Sequence, residues 1–154
     1  MNLINRNDNE LKYIPIASDH AGFELKEYIR EHLSQLGYML VDKGTYSSES
    51  VDYPDFVHPL SKQVNDGYYE MGIVICGSGN GVAMVANKYP NVRCALCWNE
   101  DIAKLARNHN NANIISLPAR FITKELALNI VLMFLNSEYE AGRHQIRVEK
   151  INIK

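Results

Sequence analysis

The stretch Met71-Gly72-Ile73-Val74-Ile75-Cys76-Gly77-Ser78-Gly79-Asn80-Gly81-Val82 holds the start of the argument. Its first half is a continuous apolar run rich in Ile and Val, the texture of a strand buried on both faces of a sheet. Three glycines within 77–81 then break the run, and an amphipathic segment over 79–88 follows. Strand, glycine turn and helix in that order make one βα unit of a parallel sheet.

The same alternation extends in both directions. Short apolar runs lie at 13–18, 38–42, 92–97 and 113–117, and helical patterns at 22–36, 55–66, 100–108 and 123–136. Within 22–36, Leu25, Ile29, Leu33 and Leu36 recur at helical spacing with charged residues between them, and Gly37 stands where a C′ glycine belongs. The expected fold is therefore α/β: a three-layer α/β/α, doubly wound, Rossmann-like single domain around a five-stranded parallel sheet. Residues 1–12 read as a polar N-terminal extension, 13–137 as the α/β domain, and 138–154 as a charged helical tail that reaches onto a partner subunit.

The chain has 154 residues, which fits one domain, with 46% hydrophobic and 22% charged residues. Sixteen Lys and Arg against eighteen Asp and Glu offer no net basic face for nucleic acid or an anionic membrane. No apolar stretch is long enough to span a bilayer, the first twelve residues lack an apolar signal core, and three cysteines form no disulfide framework. A cytoplasmic protein is the expectation.

In open α/β sheets ligands bind beyond the carboxyl ends of the strands, where strand order reverses. The loops after Ser18 and after Cys76 are the places to look. The first reads Ser18-Asp19-His20-Ala21-Gly22; Asp19 is either a helix cap or, with His20, a contact for a hydroxyl or phosphate. In the second, Gly77, Gly79 and Gly81 let backbone N–H groups turn inward at a helix N-terminus, a nest for an anion or a developing oxyanion. Cys76 at its lip reads as a strand-ending core thiol or, beside such a nest, as a thiolate base. The loop is not a Walker A loop, for no Lys follows the glycines, nor a dinucleotide fingerprint, for it follows the third strand, nor a cysteine-phosphatase loop, for Val82 stands where Arg is needed.

Two further clusters are polar. His109 sits among Asn residues before the fifth strand and reads as a turn or as a proton shuttle. Arg120, with Arg143 and Arg147 at i, i+4, reads as a phosphate clamp or as part of a solvated tail. Cys94 and Cys97 fall inside an expected strand, on opposite faces, and read as core; Trp98, Tyr46 and Tyr53 read mainly as packing, with lining of the cleft as the alternative for the two tyrosines. No His, Cys, Asp and Glu set shows zinc spacing, so neither metal nor cofactor is expected.

Taken in order, Ser-Asp-His-Ala-Gly (18–22), Asp-Lys-Gly-Thr (42–45), Asp-Tyr-Pro (52–54), Cys-Gly-Ser-Gly-Asn-Gly (76–81), Ala-Asn-Lys (86–88), His-Asn-Asn-Ala-Asn (109–113) and Gly-Arg-His-Gln-x-Arg-Val (142–148) resemble the type B ribose-5-phosphate isomerases. Galactose-6-phosphate isomerase subunits share that superfamily. The resemblance covers most of the chain. It implies interconversion of D-ribose 5-phosphate and D-ribulose 5-phosphate through an enediolate, in the non-oxidative branch of the pentose phosphate pathway, without metal or cofactor. Cys76 would then be the base and Ser78 its aid. The amides from Gly77 through Gly79 and Asn80 to Gly81 would hold the oxyanion, and His109, supported by Asn110, would open the ring. Asp19 would bind sugar hydroxyls, and His20, Arg120, Arg143 and Arg147 the phosphate. Homodimers or dimers of dimers with shared clefts are implied. The alternatives are a six-carbon substrate, allose 6-phosphate or galactose 6-phosphate, or a non-catalytic sugar-phosphate binding module.

Overall fold

A computed structural model describes residues 13–153, so the extension expected at 1–12 lies outside the described residues. The elements alternate as the sequence predicts. They are β1 (Tyr13–Ser18), α1 (Phe23–Gln35), β2 (Met39–Asp42), α2 (Tyr53–Asn65), β3 (Gly72–Cys76), α3 (Asn80–Ala86), β4 (Cys94–Leu96), α4 (Glu100–Asn108), β5 (Ile114–Pro118) and α5 (Lys124–Asn136). A 3₁₀ turn (Gly142–His144) and a five-residue α6 (Gln145–Glu149) end the chain. All strand pairs are parallel, in the order β2-β1-β3-β5-β4. The order reverses between β1 and β3, as expected, and the outer pair is now fixed with β4 at the edge.

Every residue of β3 is buried, and its alternation divides the core. Ile73 and Ile75 pack with Leu25, Ile29, Ile130 and Phe134 under α1, α4 and α5. Val74 and Cys76 face the other way, packing with Val57, Leu60 and Val82 under α2 and α3. The three-layer architecture follows from this two-sided burial. Gly22 permits the close approach of α1 to β3: a Cβ there would stand 2.7 Å from Ile75 Cγ2 and 2.9 Å from the Ile75 carbonyl oxygen.

Helix α1 ends in a Schellman motif, with Gly37 at φ +91, its N–H on Ser34 O and the Tyr38 N–H on Leu33 O. Two readings of this helix need correction. Leu36 is the C-cap and lies exposed, because the helix has already ended. Lys26, grouped by sequence with the solvated charges, is fully buried. Its Nζ donates to Asp42 Oδ1 at 2.7 Å and Glu27 Oε1 at 2.8 Å, tying α1 to the end of β2. Partial burial pushes the Glu27 carboxyl upward, but the Lys26 and Arg30 charges beside it outweigh that and hold it below its ordinary value.

Strand β4 is shorter than the apolar run over 92–97. The Val92 N–H closes a turn onto Tyr89 O and the Arg93 N–H goes to the Asn113 side chain, so neither joins the ladder. Cys97 is buried and Cys94 half-buried; both are free thiols. Burial pushes the Cys97 thiol up to about 12, and burial, then the neighbouring Cys97, raises Cys94. Trp98 and Tyr46, read as packing, are instead largely exposed.

Replacing Gly22 by Ala should cost about 1–3 kcal/mol through overpacking of α1 against β3. Urea unfolding should show a lower midpoint with an unchanged slope. A midpoint equal to wild type would mean that α1 shifts freely on the sheet.

Candidate active site

The glycine turn is built as a nest closed from three sides. Gly79 adopts φ +75, and a Cβ on it would collide with the Leu96 side chain and stand 3.0 Å from Ser116 Oγ. Ser116 on β5 donates to Gly79 O at 2.6 Å and anchors the turn from below. Arg120 folds over the turn, so that a Cβ on Gly77 would stand 3.1 Å from its Nη1, and its own N–H is held by Gly77 O. The Tyr53 hydroxyl crosses the far end, 2.8 Å from where a Cβ of Gly81 would be. Gly79 is therefore required by its φ and its surroundings together, and Gly81 by the Tyr53 ring against it.

Cys76 is buried at the base of this turn, and its Sγ accepts the Gly79 N–H at 3.2 Å. Sulfur carrying negative charge would find a donor there. Ser78 is exposed above it, with its Oγ taken by the Asn80 N–H at 3.2 Å. The expectation that all the amides from Gly77 to Gly81 face a ligand needs correction. Those of Gly79 and Asn80 are spent on Cys76 and Ser78, and an oxyanion is left to the other amides of the turn.

Asp19 and His20 leave β1 beside this loop. The Asp19 N–H donates to Ile75 O, and its Oδ1 accepts the Gly22 N–H at 3.1 Å. The cap reading fails in detail, since Gly22 is the N-cap of α1; Asp19 closes the turn ahead of it. His20 accepts the Val51 N–H at Nδ1, 3.2 Å away, so the neutral ring carries its proton on Nε2. Asp19, His20, Cys76, Ser78 and Arg120 thus share the carboxyl edge of the sheet.

His109, Asn110, Arg143 and Arg147 do not. His109 is the C-cap of α4, which starts at the carboxyl edge after β4 and runs back across the sheet. The loop after it enters β5 where Asn113 O receives the Gly72 N–H, at the first residue of β3. Cys76 is the last residue of that strand, four steps of about 3.3 Å further on, so roughly 13 Å separates the two edges. The tail is strapped to the His109 edge: Asn108 Nδ2 donates to Glu138 O, and the Glu140 N–H to Asn108 O. Arg143 and Arg147 lie one turn apart and exposed, with Nη1 of Arg147 on Arg143 O at 2.7 Å.

Several neighbours escaped the sequence reading. Buried Arg107 fixes the His109 loop, donating to Asn111 Oδ1 and to Ala112 O at 2.6 Å. Its place next to the His-Asn run was the available signal. The His109 and His144 rings stack with centroids 4.0 Å apart and planes 13° apart, and Glu140 Oε2 lies 3.9 Å from His109 Nε2. Desolvation, then the nearby His109 and Arg143, hold the His144 imidazole below its ordinary pKa. A His, Glu and His gathering therefore exists where spacing along the chain gave none.

The profile of the Ribose/Galactose Isomerase family matches residues 14–151. Ribose-5-phosphate isomerase B of Escherichia coli (strain K12) is 42% identical over 141 residues, covering 92% of this chain and 95% of that protein. Among solved structures, a ribose 5-phosphate isomerase of Thermotoga maritima is 47% identical with a TM-score of 0.89, covering 92% of this chain and 98% of that one. The ribose-5-phosphate isomerase B of Mycoplasma genitalium, solved with bound ribulose-5-phosphate, is 43% identical with a TM-score of 0.87, covering 92% and 95%. With a match from the second residue of β1 to beyond α6, the chain belongs to the Ribose/Galactose Isomerase family.

Proposed function

We propose that this protein is an aldose–ketose isomerase that interconverts D-ribose 5-phosphate and D-ribulose 5-phosphate. The observation that carries the chemistry is the Cys76 thiol at the base of a glycine nest, with the Gly79 N–H aimed at its sulfur. Cys76 takes the proton from C2 of the opened aldose and returns it to C1, while the hydroxyl proton of O2 passes to O1. The enediolate oxygen meets the remaining amides of the 77–81 turn, each worth roughly 3–4 kcal/mol where well placed. Ser78 lies above the thiol to assist, Asp19 binds sugar hydroxyls, and the neutral His20 offers Nε2–H to the phosphate. Arg120 adds a guanidinium at the same edge.

The ring-opening imidazole comes from a second copy of the chain. Within one chain His109 and its neighbours Asn110, Arg143 and Arg147 face away from Cys76 across the sheet. A two-fold dimer brings the amino edge of one protomer onto the carboxyl edge of the other and does so twice. Exposed Trp98 and Phe121, in the loops after β4 and β5, suit a covered surface. The phosphate is then held by His20 and Arg120 from one side and by Arg143 and Arg147 from the other, and that binding energy orients the reacting carbons. The tail, strapped to α4, carries its arginines into the partner's cleft.

Purified protein in EDTA should form ketose from ribose 5-phosphate, and Cys76→Ala should lose roughly 10²–10⁴-fold in kcat while still binding the substrate. Turnover in Cys76→Ala at the wild-type rate would remove the thiol from the mechanism. No ketose from ribose 5-phosphate, with turnover of a six-carbon phosphate instead, would move the substrate assignment.

His109→Asn should cost the furanose-forming substrate far more than erythrose 4-phosphate, which needs no ring opening; equal losses would sink that role. Mixing and refolding Cys76→Ala with His109→Asn chains tests the shared cleft. Half the dimers are then mixed, each with one intact site, so about a quarter of wild-type activity should return. No recovery would place the whole site in one chain.

A further inference from the structure

We infer that His109, Glu140 and His144 form a site for a zinc-class divalent cation, and that filling it switches the isomerase off by occupying the ring-opening imidazole. The second half rests on the function proposed above; the first does not. The three ligand atoms lie within 4.8 Å of one another, and among the described residues no other three His, Cys, Asp or Glu side chains converge in this way. Two fixed pieces of backbone bring them together. His109 caps α4, and the hydrogen bonds between Asn108 and the backbone of Glu138 and Glu140 hold the tail against it. Ala141 and Gly142, both at φ +50, then turn the chain back so that His144 stacks on His109.

The donor set selects the ion. Two imidazoles and one carboxylate suit zinc and its late first-row neighbours, whereas magnesium and calcium want oxygen throughout. Three protein ligands leave a fourth position for water. Zinc bonds of about 2.0–2.1 Å need donors roughly 3.3 Å apart, closer than the 3.9 Å between His109 Nε2 and Glu140 Oε2. The stacked rings also have to splay, since parallel planes cannot aim two lone pairs at one point. Both adjustments call for side-chain rotations, at half-buried His109 and His144 and at exposed Glu140. Arg143 and Arg147 sit on the same turn and repel a cation; Glu140 offsets one of those charges. The site is accordingly one that a chelator empties readily. An ion there holds the lone pair that His109 needs for the furanose oxygen, so metal and substrate exclude one another.

Chelator-stripped full-length protein should be titrated calorimetrically with zinc chloride and with magnesium chloride. The expected result is one zinc per chain and no magnesium. Loss of an outer-sphere partner alone weakens metal sites roughly 10–100-fold, so Glu140→Gln and His144→Gln, each losing a ligand, should bind zinc at least about tenfold more weakly. Cys76→Ser should bind it as wild type does. Wild-type turnover should fall as the site fills and return with EDTA, and Glu140→Gln, still an active isomerase, should need at least about tenfold more zinc for the same inhibition. Absence of zinc binding, wild-type affinity in either ligand variant, or loss of binding in Cys76→Ser overturns the site. Zinc bound through these residues with turnover unaffected overturns the switch. Zinc binding with the expected variant pattern but no ribose 5-phosphate turnover in stripped protein upholds the site and counts against the isomerase reading instead.

Discussion

The parallel direction of all five strands governs everything else in this molecule. A parallel sheet sends every strand end to one edge and obliges every helix to carry the chain back to the other. Residues that follow strands therefore gather at the carboxyl edge, and residues that follow helices gather at the amino edge. Cys76, Ser78, Asp19, His20 and Arg120 belong to the first group; His109, Asn110 and the tail arginines belong to the second. The core enforces the separation, because β3 is buried on both faces and leaves no passage between the edges. The proposed reaction, which uses both groups, would draw them from two chains.

Much of this was legible in the sequence because it is contiguous there. The apolar runs and helical spacings located all ten main elements, and the glycine turn after Cys76 reads directly as strand, nest and helix. Burial on both faces of β3 is written in five consecutive residues, and Gly37 marks the end of α1 by its left-handed φ. What was not legible depends on approach in space. Lys26 looks like any solvated helix charge until Asp42, sixteen residues on, is seen to receive it. Gly142 marks a turn, but Ala141 shares its φ of +50 with nothing in its side chain to announce it, so the meeting of Glu140 and His144 with His109 leaves no trace in their spacing. The division of the site between two edges was implicit in the strand and helix assignments, since His109 ends a helix; it follows from topology and from no motif.

The nest shows how few groups a turn of this size has to distribute. Five successive residues offer five N–H groups, and the fold assigns two of them before any ligand arrives. The Gly79 N–H on Cys76 Sγ means that one loop both positions the thiol and supports charge on it. In the proposed mechanism the same loop would also supply donors for the oxyanion that forms when the thiolate takes a proton. Under the proposed mechanism charge moves from sulfur to the enediolate oxygen over a short distance, and donors to both ends belong to one rigid turn. Ser116 beneath it, Arg120 across it and Tyr53 at its far end resist its relaxation in either state. Preorganisation of that kind reduces the reorganisation needed as the proton transfers.

The proposed division of the site between chains would also have an energetic consequence. Proton transfer from carbon is helped by excluding water, and neither edge alone encloses a substrate. Closing two protomers over one another in the proposed dimer would wall each cleft with the partner's amino edge and cover aromatic surface that a single chain leaves in water. The proposed association would thus be driven in part by apolar burial with no catalytic function. Trp98 and Phe121 occupy positions that the core does not need, at the ends of β4 and β5, where a monomer would gain solubility from polar side chains. Their exposure is explained if the surface they occupy is the one that brings His109 within reach of the thiol.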